Sequence, residues 1–484
     1  MGIVITQSYK NTISTYLGFA LGGINTLFLF TNFLTDTYYG LVAFVLSTAN
    51  IMMPFMAFGV HNTLIKYYSR FKTKDALNSF LTLMLFLPLA LIIPIGLVGF
   101  LGYEAITNAL AQENTIIKDY VWHIYILAIA MAYFEIFYAW SKTQLQTVFG
   151  NVMKEVFHRV GVMLLLGAVY LEFITVDNFI NGIVIIYILR LIIMKGFAYS
   201  VRFPVLKFNY IPNLKAILKY AGLIIIAGSI ATLILDIDKF MIGYLIEIEE
   251  VAYYSVAIFI ATVIAVPQRA MHQIMMPLTA IYLNDKNSVA LKDLYIRSSL
   301  NLLIISGFIF LCIVLNINEL YKILPVQFES GLYVVLIISL AKLYDNILGN
   351  NNAILFNSDY YRVIIYFGVL LALLTIAFNV VLIPKYGING AAIATFLAIA
   401  IYNTLKVLYV KAKFKMQPIN AKTLKVLFLI FLLGGLFYFW DFTFHPLLNI
   451  GLKTGLLTLI YLVVIFKLNI SEDINNQLQK YLKL

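Results

Sequence analysis

The chain has 484 residues, of which 62% are hydrophobic and only 12% are Asp, Glu, Lys or Arg, and its mean hydropathy is +0.91. That charge content is about half that of an ordinary soluble domain and cannot cover a soluble protein of this length. Charge-free runs at 11–35, 37–60, 76–103, 251–268, 298–318, 363–384 and 386–405 each approach or exceed the roughly 20 apolar residues of a membrane helix, so a secreted, cytosolic or disordered protein is excluded.

Apolar runs and the short polar segments between them predict fourteen helices. They lie near 9–32, 38–60, 77–101, 119–141, 152–171, 178–200, 216–238, 251–277, 298–317, 327–350, 361–383, 388–410, 424–442 and 450–468. Helix 1 is full length and no small-residue cleavage pattern closes it, so no cleavable leader is expected. Its Gly18 and Gly22 permit close helix packing. Pro54 interrupts helix 2 and Pro267 interrupts helix 8. A proline removes a backbone donor, so both are hinge candidates, although kinks are ordinary in membrane helices.

Ionisable groups at membrane depth are costly and usually face a cavity or a partner. Glu135 in helix 4 and Asp345 in helix 10 are candidates for ion coupling. Their alternatives are an interhelical hydrogen bond for Glu135 and an i,i+3 pair with Lys342 for Asp345. Asp236 and Asp238 at the end of helix 7 are further coupling candidates, with local pairing to Lys239 as the alternative. Arg190, in the middle of helix 6, either snorkels beside Lys195 or reaches into a cavity. Lys142, Lys154, His158 and Arg159 flank helices 4 and 5 as a basic vestibule or as plain topological charge. Arg190, Lys142, Arg159, Lys239 and Lys342 are the candidates for an anionic headgroup, since a guanidinium fork meets phosphate oxygens bidentately.

Both termini fall on one side if the helix count is even. Placing them in the cytoplasm puts 28 of the 34 Lys and Arg on that side, which satisfies the positive-inside rule. It also accounts for most of the +11 net charge without nucleic acid. The tail after Lys467 reads as an interfacial helix capped by Ser471, with Ile474, Leu478 and Leu482 on one face.

An internal repeat runs at an offset of about 204 to 215 residues. Tyr16-Leu17-Gly18 corresponds to Tyr220-Ala221-Gly222, Tyr38-Tyr39-Gly40 to Tyr253-Tyr254-Ser255, Pro54 to Pro267, and Glu135 to Asp345. Six helices is an even number, so the copies share one orientation. The expected fold is therefore all-α, with two pseudo-symmetric six-helix lobes, 1–204 and 205–415, and helices 13 and 14 with the tail at 416–484.

No soluble catalytic domain fits between the helices. The five histidines are scattered, Cys312 is the sole cysteine, and no phosphate-binding loop ends in Lys-Ser or Lys-Thr. No enzyme, metal or cofactor is expected.

Helices 11 and 12 meet in the segment from Asn379 through Pro384, Lys385, Tyr386, Gly387, Ile388, Asn389, Gly390, Ala391, Ala392 and Ala394 to Thr395. Pro384 stops one helix, Gly387 makes a turn, and the small residues after it allow close packing. The segment resembles the polysaccharide flippases of the Wzx type in the MOP exporter superfamily, as do Tyr38-Tyr39-Gly40-Leu41 and Asp236 to Gly243. The resemblance implies a V-shaped transporter in the bacterial inner membrane. It implies that an undecaprenyl-pyrophosphate-linked oligosaccharide moves from the cytoplasmic to the outer leaflet for O-antigen, capsule or related surface polysaccharide. It further implies ion coupling and, among partners, a polymerase and glycosyltransferases. A multidrug/cation antiporter of the same superfamily is the second reading. Helices 13 and 14 speak against it, as does a first helix with no carboxylate before Asp36. A membrane glycan polymerase or ligase is the third, and the short outer loops argue against that.

Overall fold

In hydrocarbon, backbone N–H and C=O groups have no water to bond, so each spanning segment must satisfy its own, and helices do so locally. The structure, a computed structural model, describes residues 2–440 and 442–482, and every regular element among them is helical. Each expected helix has a helical counterpart. We number these α1 Tyr9–Phe33, α2 Asp36–Met56, α3 Lys74–Leu101, α4 Thr115–Thr143, α5 148–170, α6 Val176–Val201, α7 Leu214–Leu245, α8 Glu249–His272, α9 Ser288–Tyr321, α10 Val326–Ile347, α11 361–386, α12 388–414, α13 Ala421–Tyr438 and α14 Pro446–Lys467.

Among the described residues, eleven helical segments are long and apolar enough to cross a bilayer. One of these is the continuous 54-residue stretch that contains α11 and α12. α5 stands outside the eleven and carries Lys154, Glu155, His158 and Arg159 within two turns. The observed helices are compatible with fourteen crossings.

The chain forms two compact units, Met1–Ala252 and Tyr253–Leu484. In the first, α2 and α4 are the most buried helices, and α7 lies along α2. Phe44 stacks on Phe240 with ring centroids 5.6 Å apart. The repeat expected from the sequence would divide the chain near residue 204, whereas packing divides it at Ala252. α7, which would begin the second copy, buries its face against α2.

The helix breaks have local causes. α2 ends just past Pro54. Phe58 and Gly59 then adopt positive φ (49° and 64°) before a short helix, Val60–Tyr67, resumes. At Gly59 a Cβ would lie 2.4 Å from the Ala221 carbonyl oxygen of α7. Gly59→Ala is therefore expected to lower the thermal midpoint of the purified protein, since the left-handed conformation alone costs about 1–2 kcal/mol. Gly167→Ala, where a Cβ would meet nothing within 4 Å, should leave the midpoint unchanged or raise it.

In the second unit, Pro267 follows a 3-10 turn at Val263–Ala265 and occupies the first turn of the next helical stretch, where its missing N–H is harmless. The Ile264 carbonyl in that turn accepts a hydrogen bond from Asn346 Nδ2 at 2.8 Å. Both hinge candidates thus coincide with real interruptions. Gly387 has φ 58° and ψ −139° and separates α11 from α12 as expected. A Cβ at Gly390 would lie 2.1 Å from the Leu382 carbonyl oxygen, so the small residues there do permit close approach.

α13 and α14 pack on α9 around Leu303, Leu311, Leu433, Leu457 and Ile465, and Tyr461 donates to the Ile304 carbonyl at 2.9 Å. A terminal helix, Glu472–Leu482, follows. Ser471 Oγ accepts from the Ile474 N–H, as an N-cap does. Asp473 receives Arg297 and Asn301 of α9. The hydrogen bond from Arg297 holds the Asp473 carboxyl below the usual carboxylate range. Ile474 packs on the α9–α14 core, and the side chains of Leu478 and Leu482 lie outside the described residues.

Candidate functional site

In the first unit, α4, α5 and α6 converge on a cluster of charges. Helical periodicity sets it up. Phe134 and Tyr138 are one turn apart on α4, with Glu135 between them, and Tyr187 lies three residues before Arg190 on α6. Lys154 Nζ of α5 donates to Glu135 Oε1 at 2.6 Å. Lys142 Nζ rests 3.7 Å from the centroid of the Tyr138 ring. Arg159 Nη1 bonds the Glu155 carbonyl oxygen at 2.6 Å and Glu155 Oε2 at 3.1 Å.

Arg190 is only 6% exposed. Its guanidinium carbon lies 4.1 Å from the Phe134 ring centroid and 4.7 Å from that of Tyr187, and Nη1 is 3.5 Å from His158 Nδ1. Its buried Nε has no hydrogen-bond partner. Among the described residues no carboxylate pairs with it. Arg190 is thus buried against Phe134, Tyr187 and His158 rather than snorkelling beside Lys195, which is exposed.

Two features of the backbone make this arrangement possible. α5 passes through a π-helical turn at Met153–Phe157, which re-aims Lys154 and Glu155. Such turns are frequent at functional sites. Gly18 and Gly22 of α1 lie against Glu155 and Arg159. A Cβ at Gly18 would be 2.5 Å from Arg159 Nη1, and one at Gly22 would be 3.2 Å from Nε. The two glycines make room for an arginine of α5. Asn25 of α1 also donates to the Arg159 carbonyl at 2.9 Å. The cluster holds four cations, Lys142, Lys154, Arg159 and Arg190, against two carboxylates, Glu135 and Glu155, with His158 among them and His61 within electrostatic reach. The surplus is positive, so the cluster is electrostatically suited to an anion rather than a cation.

The Glu135–Lys154 pair can be tested directly. Glu135 is 17% exposed and Lys154 43%, between the fully buried and fully exposed limits. A double-mutant cycle with Glu135→Gln and Lys154→Met should give a coupling of about 1–2 kcal/mol in unfolding free energy. The double variant should be more stable than the sum of the single losses.

The second unit has a matching arrangement. Asp345 of α10 accepts from Gln268 Nε2 of α8 and Asn403 Nδ2 of α12, each at 3.2 Å. Lys406 of α12 is fully buried. Its ammonium donates to Asn352 Oδ1 at 2.9 Å and lies 4.1 Å from the Tyr402 ring centroid. Lys342 lies one turn before Asp345 on α10. Thus α4 of the first unit and α10 of the second each carry a carboxylate, Glu135 and Asp345. α6 and α12 each carry a buried cation resting on a tyrosine one turn earlier.

Asp236, Asp238 and Lys239 of α7 do not join either cluster. Lys239 Nζ lies 3.8 Å from Asp236 Oδ1, and Ser47 and Asn50 of α2 hydrogen-bond Asp236. Local pairing describes them well, and Asp238 is buried.

The chain is a helical, multi-pass membrane protein with charged side chains buried in its interior. More particularly, the chain belongs to the polysaccharide biosynthesis protein family, whose model matches residues 8–282. No curated protein matches it significantly. Among solved structures it is similar to the lipid II flippase MurJ in an inward closed conformation. That match has a TM-score of 0.72 and 16% identity, and covers 94% of this chain and 98% of that one. It is also similar to an inward-facing multidrug resistance MATE transporter of the MOP superfamily, with TM-score 0.60 and 12% identity, covering 79% and 95%. A third similar structure is the Vibrio cholerae MATE transporter VcmN, with TM-score 0.53 and 14% identity, covering 86% and 98%. These likenesses establish the fold.

Proposed function

We propose that the chain is a flippase for a polyprenyl-pyrophosphate-linked oligosaccharide. It carries the glycan from the cytoplasmic to the outer leaflet of the bacterial inner membrane by alternating access, with both termini in the cytoplasm. The observation that carries this reading is Arg190. A buried guanidinium that lacks a carboxylate is costly unless an anion completes it. A pyrophosphate supplies the planar pairs of oxygens that its fork accepts. Arg159, Lys154 and Lys142 surround the same region with further positive charge. Lys406 provides a second buried cation in the other unit.

Glu135 and Asp345 are the coupling candidates in this scheme. Each carboxylate is held by neutral or cationic partners that an ion or proton could replace. In this scheme glycosyltransferases of surface glycan assembly would supply its substrate and a polymerase would consume it.

The MATE likeness supports a second reading, a multidrug/cation antiporter. Such a transporter handles cationic drugs, and the excess of cations around Arg190 disfavours it. The two readings separate in proteoliposomes. Flipping of a fluorescent polyprenyl-pyrophosphate oligosaccharide with no efflux of cationic dyes supports the flippase. Dye efflux without flipping supports the antiporter and overturns our reading.

A further inference from the structure

After α6 the chain does not turn directly into α7. Residues 203–211 run extended, antiparallel to α3, with no helical or strand bonding of their own. Side chains of α3 replace those bonds. Thr82 Oγ1 accepts from the Lys207 N–H at 3.0 Å, Ser79 Oγ accepts from the Asn209 N–H at 3.2 Å, and Asp75 pairs with Lys207 Nζ. The start of the strap is pinned by Arg202, which bonds Tyr68 and Asn78, and by Trp140 Nε1, which donates to the Arg202 carbonyl at 3.1 Å. With its polar edge spent on α3, the strap turns Phe203, Leu206, Phe208 and Tyr210 outward, and all four are exposed.

The strap closes one end of a groove of about 540 Å³ on the outer surface of α3, α4 and α6. That volume lies within the roughly 300–1,000 Å³ of small-molecule clefts. The floor is aromatic, from Tyr133, Phe137 and Tyr199, and the rim includes Phe86, Ile192 and Phe203. Lys195 is the one charged residue lining it. It is exposed, and among the described residues no carboxylate pairs with it. Its ammonium lies 5.6 Å from the centroid of the Tyr199 ring. Lys195 stands six residues before the end of α6, so it lies about 9 Å inside the helix end at 1.5 Å per residue. The 26 residues of α6 span about 39 Å against a hydrocarbon core of roughly 30 Å, which puts the Lys195 backbone just inside the core, from where its side chain can snorkel to the headgroups.

We propose that this groove binds an anionic glycerophospholipid, its acyl chain along the aromatic floor and its phosphate at Lys195. An apolar trough that ends in a single cation at headgroup depth matches the two ends of such a lipid. A zwitterionic lipid brings its own cation to the lysine and is disfavoured. The apolar groove of the other unit, between α9, α10 and α13, has no charged lining residue and lacks this selectivity. The proposal concerns lipid binding and is independent of what the protein carries.

Trp140 supplies the test, because its ring lies 6.3 Å from that of Tyr199. With Trp122→Phe and Trp440→Phe it becomes the only tryptophan. The full chain is placed in phosphatidylcholine nanodiscs doped with brominated phosphatidylglycerol, brominated phosphatidylcholine or brominated polyprenyl phosphate. Brominated phosphatidylglycerol should quench Trp140 at about five-fold lower mole fraction than brominated phosphatidylcholine, the preference expected of one lysine near an anionic lipid. Lys195→Ala should abolish that difference. Equal quenching by the two glycerophospholipids, or a difference that survives Lys195→Ala, overturns the proposal. Strongest quenching by the polyprenyl phosphate also overturns it and gives the groove to the cargo. Should the tryptophan variant fail to fold, native mass spectrometry of the otherwise unchanged chain decides. Phosphatidylglycerol retained by the parent and lost from Lys195→Ala supports the site, and equal retention refutes it.

Discussion

Arg190→Ala is expected to lower the flipping rate of reconstituted protein roughly 10- to 100-fold, the range set by losing a charged hydrogen-bonding partner. The fold should survive. The native guanidinium is buried on Phe134 and Tyr187 without a carboxylate, so its removal relieves a desolvation cost and opens a small cavity. Thermal midpoints of parent and variant in detergent should therefore be close while transport collapses. Arg190→Lys keeps the charge but loses the planar fork, and it should recover only part of the rate. If Arg190→Ala unfolds the protein and Arg190→Lys restores both fold and full transport, the arginine is a packing element and the anion-binding role fails.

The second large effect concerns Lys406. Lys406→Met preserves most of the side-chain volume and deletes an ammonium that is wholly buried between Asn352 and Tyr402. We expect the thermal midpoint to stay level or rise, since a buried charge that forms no ion pair among the described residues is replaced by an apolar group. The flipping rate should fall by an amount similar to that in Arg190→Ala. Flipping at the parental rate, measured on the same preparation, would remove Lys406 from the transport machinery. The conservative variant Lys406→Arg separates charge from packing, because it keeps the cation while overfilling the site.

The helices were legible because hydrophobic runs of membrane length have few competing interpretations, and Pro54, Pro267 and Gly387 marked real interruptions. Lys406 was harder to read. It lies close enough to the end of α12 to pass for ordinary topological charge, and only its burial distinguishes it from Lys411 and Lys413. A signal was present: Tyr187 precedes Arg190 by one turn, and Tyr402 precedes Lys406 in the same way. Gly18 and Gly22 were readable as close-approach positions, but their partner was not. The π-helical turn at Met153–Phe157 has no sequence signature, yet it determines how Lys154 and Arg159 are presented. The local pairing of Asp236 with Lys239 was one of two readings, and spacing alone could not choose between them.

The packing of α7 against α2 bears on how the polypeptide is made. Ribosomes deliver helices to the membrane in order, and α2 leaves the translocon well before α7 is synthesised. Until α7 arrives, the backbone turn at Phe58 and Gly59 lacks the neighbour that lies against it, and Phe44 lacks its stacking partner. The earliest nascent chain able to complete the first unit ends near Ala252, not at the sixth helix. Quality-control proteases should therefore recognise stalled or truncated products shorter than this as unfinished, however many spans they already contain.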